Sequence, residues 1–201
     1  MPEVPKKFQL VLQNVAKHIS LTLSETGFFV SLLKEKKVKK KEFVLQAEQS
    51  SKVISFVTGG ALRAFYTDAD DKQSTIMFAI TDWWITDINS FVNRIPALIS
   101  IQAVEDSELL QLSNDDLDVL YSKVPKFERF FRILMQNSYV REQQRVLQTL
   151  SLPAEQLYQN FLKKYPAFAK KVPQKHIASY LGITPEFLSF IRKKKPKRSI
   201  S

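Results

Sequence analysis

Apolar and polar positions change period twice along the chain. Leu10, Val11, Val15 and Ile19 fall on one side of a short amphipathic helix within residues 6–19. A second helix is expected to start at Leu23-Ser24-Glu25 with Ser24 as cap, and it carries Phe28, Phe29, Leu32 and Leu33 at helical spacing. Gly27 within it costs about 1 kcal/mol against Ala. After the basic run from Lys34 to Lys41 the pattern shortens to strands. These are Phe43 to Leu45, Val53 to Val57 before Gly59-Gly60, Ala61 to Tyr66, Ser74 to Ile80, Ile99 to Val104 and Leu109 to Leu112. Turn residues Thr67 to Lys72 and Glu105 to Ser107 separate them. Such a series predicts an antiparallel β-roll or sandwich.

The helical period then returns. Ser113-Asn114-Asp115-Asp116 is a helix start, and Pro125 opens a longer helix with Phe127, Phe130, Phe131 and Leu134 on one side. That side becomes mixed after Gln136 and apolar again at Val146, Leu147 and Leu150. A helix of about 26 residues spans roughly 39 Å. This is more than a small core requires, and it suits packing against a second copy or linking two domains. Ser151 is expected to cap the next helix, which Pro166 stops. The fold class is α+β, with a roll in residues 1–123, a dimerisation helix in 124–150 and a helical domain in 151–201.

Composition narrows the chemistry. The 201 residues are 44% hydrophobic with 15 Phe, enough for a sizeable core. There is no Cys, which excludes disulfides, thiolate nucleophiles and Cys-ligated clusters. The two His, His18 and His176, are far apart, so no metal site and no cofactor is expected. No apolar run approaches the ~20 residues of a membrane span, and no signal peptide precedes Phe8; a cytoplasmic protein is expected. The net charge of +10 lies wholly in residues 161–201, which hold eleven Lys/Arg and one acid, Glu186. Residues 66–118 are the opposite, with eleven acids against Lys72 and Arg94. A cationic end suits a polyanion, nucleic acid above all, or serves as a solubilising tail.

Residues 173–195 separate the two. Ile177, Leu181, Ile183, Leu188 and Ile191 take buried positions of two crossed helices, and Ala178 is small at the crossing. Gly182 supplies the positive φ of the turn, Thr184 the cap and Pro185 the first turn of the second helix. This is helix-turn-helix grammar, and its second helix would enter the major groove of double-stranded DNA. Glu186 and Ser189 are candidates for base edges. Lys175, His176, Arg192, Lys193 and Lys194 are candidates for phosphates, with Lys195, Lys197 and Arg198 beyond them. The plainer reading is a helical hairpin with a solvated basic face.

The stretch from Val172 to Glu186 closely resembles the helix-turn-helix of Crp/Fnr transcription regulators, in the branch common in Bacteroidetes. Tyr66-Thr67-Asp68, Asp82-Trp83-Trp84, Ser100 to Leu109 and Val124 to Glu128 extend the likeness upstream. The resemblance implies a cyclic-nucleotide-binding-like roll, a dimer helix with Phe127, Phe131 and Leu134, and a winged helix-turn-helix. It also implies a homodimer that controls transcription, with RNA polymerase as a further partner.

Two segments depart from that family. Its Gly-Glu-Leu ribose segment aligns with Thr86-Asp87-Ile88, and its Arg-Ser/Thr-Ala phosphate segment with Ala97-Leu98-Ile99, where the Arg is missing. A buried anion needs its charge matched. Cyclic AMP is therefore not expected. Thr86, Asp87, Ile88, Ala97 and Leu98 remain the candidate pocket for an unknown small-molecule effector, with Asp87 more of a capping residue than a ligand contact. Phe190 stands where relatives usually carry a polar or Arg residue, Phe187 is a second large apolar residue on this helix, and a short wing is expected after Arg198. The alternative to a DNA-binding regulator is a ligand-binding or protein-interaction module with degenerate DNA binding. A cupin-type enzyme lacks the His it needs on residues 43–112, and no nucleophile–base pair or phosphate loop is present.

Overall fold

A computed structural model describes residues 5–166, 169 and 172–193. Two helices, α1 (Lys6–Ala16) and α2 (Leu23–Leu32), precede eight strands. The first four are β1 (Lys34–Val38), β2 (Phe43–Leu45), β3 (Val53–Gly59) and β4 (Ala61–Thr67). Then come β5 (Gln73–Ile80), β6 (Trp84–Ile85), the short helix α3 (Ile88–Asn93), β7 (Ser100–Ala103) and β8 (Ser107–Ser113). Helices α4 (Asn114–Lys123), α5 (Lys126–Ser151), α6 (Ala154–Lys164), α7 (Gln174–Leu181) and α8 (Pro185–Lys193) follow.

The strands form two antiparallel four-stranded sheets, ordered β1-β8-β3-β6 and β2-β7-β4-β5. Alternation along the first sheet separates two cores. Val57 and Leu109 point inward to Leu62, Ala64, Ala79 and Ile101 of the facing sheet. Phe56, Leu110 and Leu112 point outward, where α1, α2, α4 and the start of α5 cover them with Val11, Phe29, Leu120, Phe127 and Phe130. A third core joins α6, α7 and α8 to Ala61 and Phe78 of the second sheet.

Several local expectations are corrected. The basic run after Leu33 is itself strand β1, whose lysines stay exposed at a sheet edge. Lys37 pairs with Glu108 at 3.1 Å and Lys39 with Asp106 at 2.9 Å. An edge strand with one solvated face tolerates, and gains from, such charge. Helix α2 is capped by Thr22, not Ser24, because Glu25 sits three residues after Thr22 and closes a reciprocal capping box. Ser151 ends α5 and does not cap α6, which starts after Pro153. The strand β6 and helix α3 were too short to show a period. The wing and Lys194, Lys195, Lys197 and Arg198 lie outside the described residues.

Candidate nucleic-acid interface and effector cavity

Helices α7 and α8 cross as the sequence demands. Ile177, Ala178 and Leu188 are fully buried, and Leu181 and Ile191 nearly so. Gly182 ends α7 with φ 72°, a left-handed conformation that other residues adopt only with strain. The Thr184 hydroxyl accepts from the Phe187 amide at 3.2 Å and caps α8. With Leu188 and Ile191 turned inward, Glu186, Phe187, Ser189, Phe190, Arg192 and Lys193 form an exposed face. Phe187 and Phe190 stack almost parallel, 6.2 Å between centroids, and both remain about half exposed. Lys175 is exposed on the preceding helix.

His176 is placed differently. Its Nδ1 lies 2.5 Å from Nη1 of Arg63 on β4. A guanidinium only donates, so Nδ1 accepts and the ring is neutral. Burial pushes the His176 pKa down to about 4, helped by Arg63 and Lys175. Burial also lowers Arg63, to about 10. Arg63 is 2% exposed, donates to Gln73 at 2.7 Å and lies over the Phe65 ring at 3.9 Å. Three residues on, the Ser179 hydroxyl donates to the Gln73 carbonyl at 2.9 Å and accepts from the Thr75 amide at 2.8 Å. Helix α7 thus covers the free edge of β5. Phe78–Tyr180 and Trp83–Tyr165 ring contacts and Arg141 over Trp83 extend the docking. The sequence reading missed Arg63 and Ser179 as docking residues. An arginine inside the apolar run Ala61 to Phe65 was the available signal.

The expected effector residues gather between the roll and α5, around a cavity of about 520 Å³. Thr86, Asp87, Ile88 and Leu98 line it; Ala97 is buried beside it. Asp87 is 5% exposed and caps α3 by accepting from the Ser90 amide at 3.0 Å. Its other oxygen accepts from the amides of Leu98 at 3.0 Å and Ile99 at 3.3 Å. The Thr86 hydroxyl donates to the Val53 carbonyl at 3.0 Å and lies 2.9 Å from the Ser51 hydroxyl. Arg94 is exposed and pairs with Asp115 and Asp118.

The dimer-helix residues divide. Phe127 and Phe131 are buried in this chain's own core and Leu134 packs partly against it, so they are not a free face. Exposed apolar residues lie farther along α5, at Tyr139, Val140, Val146, Leu147 and Leu150. Among the described residues no cluster of His, Cys, Asp and Glu could hold a metal ion, and no helix is long and apolar enough to cross a membrane.

Residues 35–123 match the family model of the cyclic nucleotide-binding domain. That match spans nearly all of the roll together with α3 and α4. FixK2 from Bradyrhizobium japonicum shares the fold at a TM-score of 0.71 and 15% identity, over 80% of this chain and 82% of that one. The c-di-GMP-responsive global regulator CLP of Xanthomonas campestris aligns at 0.70 and 12% identity, over 86% and 90%. Catabolite activator protein of Thermus thermophilus aligns at 0.56 and 18%, over 86% and 83%. These neighbours are Crp/Fnr regulators, so the resemblance read from the sequence is a likeness of fold along most of the chain. No curated protein matches by sequence.

Proposed function

We propose that this chain is a cytoplasmic, homodimeric, DNA-binding transcriptional regulator whose roll does not take cyclic AMP. The observation that carries the reading is the exposed face of α8. It is presented by a left-handed Gly182 and a capped Thr184, within a segment that holds the entire net positive charge. In a dimer, two such helices about 34 Å apart would read a near-palindrome. Glu186 and Ser189 face base edges in this reading; Lys175, Arg192, Lys193 and Lys194 face phosphates. His176 joins them only when α7 leaves Arg63. The five exposed apolar residues of α5 support the dimer. Tyr139, Gln143, Val146 and Leu150 alternate by four and three residues, the spacing of a coiled-coil seam.

Selection from random duplex DNA with the purified chain tests the proposal. A two-fold symmetric enriched motif is expected, and its absence overturns the reading. The stacked Phe187–Phe190 pair favours a second reading, a protein-interaction module, since exposed neighbouring aromatics suit a protein partner. Failure to enrich any motif, together with loss of a protein partner in a Phe187→Ser, Phe190→Ser variant, would favour it.

A further inference from the structure

A second cavity, of about 530 Å³, lies where α5 meets α6 and α7. Its charge is one-sided. Arg141 and Arg145 come from α5, Lys163 and Lys164 from the last turn of α6, and the lining holds no acid among the described residues. Lysines in a last turn are ordinary, because they offset the helix dipole. The two arginines have no such reason. They stand mid-helix and four apart, where like charges destabilise a helix.

The nearest acid does not settle this cluster. Glu142, outside the lining, accepts from Nε of Arg145 at 3.0 Å. Arg141 lies over Trp83 and donates to Ser138 at 3.1 Å, but its Nε is buried without a partner. Neither Arg141, Lys163 nor Lys164 makes an ion pair among the described residues. Burial lowers the Lys164 pKa and Arg141 lowers it further, against the pull of Glu142. Burial pushes the Tyr165 and Tyr180 hydroxyls up, so both stay protonated at neutral pH and add no negative charge. Buried Leu157, Phe161 and Leu181 form an apolar floor, where charge is poorly screened. Gln144, Gln148 and Asn160 add neutral amide donors.

We infer that this cavity binds a small multivalent phosphate anion, which bridges α5 to the last turn of α6. Four cations in one cavity call for more charge than a single carboxylate carries. A chain of two or three phosphates supplies it compactly, with oxygens for both guanidinium forks and both ammonium groups. The volume suits a small molecule. This face of α5 is opposite Tyr139, Gln143, Val146 and Leu150, so a second copy packed on that seam leaves the cavity open. Because α7 also lines the cavity, its occupant ties the helix-turn-helix to α5.

Calorimetric titration of the full chain with sodium tripolyphosphate, at near-physiological salt, tests this. One site per chain is expected, tighter than orthophosphate or citrate by about tenfold or more. ATP, titrated without magnesium, separates a free phosphate chain from a phosphate ester: both carry the anion, and the tighter of the two names the source. Lys163→Gln and Lys164→Gln, at exposed positions, should each weaken tripolyphosphate by about tenfold with the melting temperature kept. Arg141→Gln should weaken it at least as much, and the lysine variants keep the test intact if that one folds poorly. Absent binding of both tripolyphosphate and ATP, or an affinity untouched by all three variants, overturns the site. An equal loss from Lys193→Ala on α8 would mean diffuse attraction to the basic segment and overturns it too. Citrate as tight as tripolyphosphate overturns the phosphate class.

Discussion

The two ends of α5 are made of similar residues and do opposite things. At its start Phe127 and Phe130 are fully buried and Phe131 is 5% exposed. They pack edge to face with one another and with Trp84, and Phe127 meets Phe29 at 4.6 Å. At its end Val146, Leu147 and Leu150 are more than half exposed. Hydrophobic periodicity alone does not tell these ends apart. The first is covered because α1, α2 and α4 stand over it; the second stays exposed, with no element among the described residues above that seam. An apolar stripe on a helix is thus a demand for a partner, and only the fold decides whether the partner lies in the same chain.

The largest effect that separates the ends is expected from Phe130→Ala. Removing a fully buried aromatic ring should cost about 3–5 kcal/mol, read as a lower urea midpoint. Leu147→Asp with Leu150→Asp should leave the unfolding free energy of the isolated chain within about 0.5 kcal/mol of wild type. The same pair should halve the mass in sedimentation. If the double variant keeps the wild-type mass, the exposed end of α5 is not the seam between copies.

A smaller effect belongs to the DNA face. Lys193→Ala should weaken binding to all duplexes alike and lower the slope of log affinity against log salt by about one. Glu186→Ala or Ser189→Ala should instead change which sequence is preferred. An unaltered slope in a fluorescence titration of Lys193→Ala, or identical preference profiles for the other two, would remove those residues from their assigned roles.

Much of this was legible in the sequence, for reasons that differ by residue. Gly182, Thr184 and Pro185 each carry a local backbone requirement, so the turn and the start of α8 could be read from residue type alone. Apart from β1, the roll strands of five residues or more were legible as short apolar runs between turn residues. Strand β1 was hidden because its exposed lysines follow the rule for an edge and not the rule for a half-buried strand. The acid at Asp87 was readable as a cap on α3, but its second oxygen reaches Leu98 and Ile99 across eleven and twelve residues, and no local pattern encodes that. Long-range pairings such as Arg63 with His176, 113 residues apart, are set by how the modules dock.

The docking itself predicts a pH response. The unfolded His176 titrates near its ordinary value of 6.5, while burial holds the folded group at about 4. Between those values the unfolded chain binds more protons, so stability falls as pH drops from 6.5 toward 4 and is fully restored above 6.5. His176→Phe, which cannot take up that proton, should flatten this part of the profile in thermal melts at pH 4.5 and 7.5. An equally steep profile in the variant would assign the response to other groups.

The smallest expected effect concerns Ser179, whose hydroxyl both donates to and accepts from the backbone of β5. Ser179→Ala removes two hydrogen bonds from a half-buried place and leaves the Thr75 amide and Gln73 carbonyl to find water. A cost of about 1 kcal/mol follows. Because the contact joins modules, the loss should fall on local opening more than on global unfolding. Amide exchange at Thr75 and along α7 should accelerate by about fivefold, while exchange in Phe127 to Phe131 stays unchanged. Uniform acceleration across both regions would mean that α7 and the roll open as one unit, and that the edge of β5 is no separate hinge.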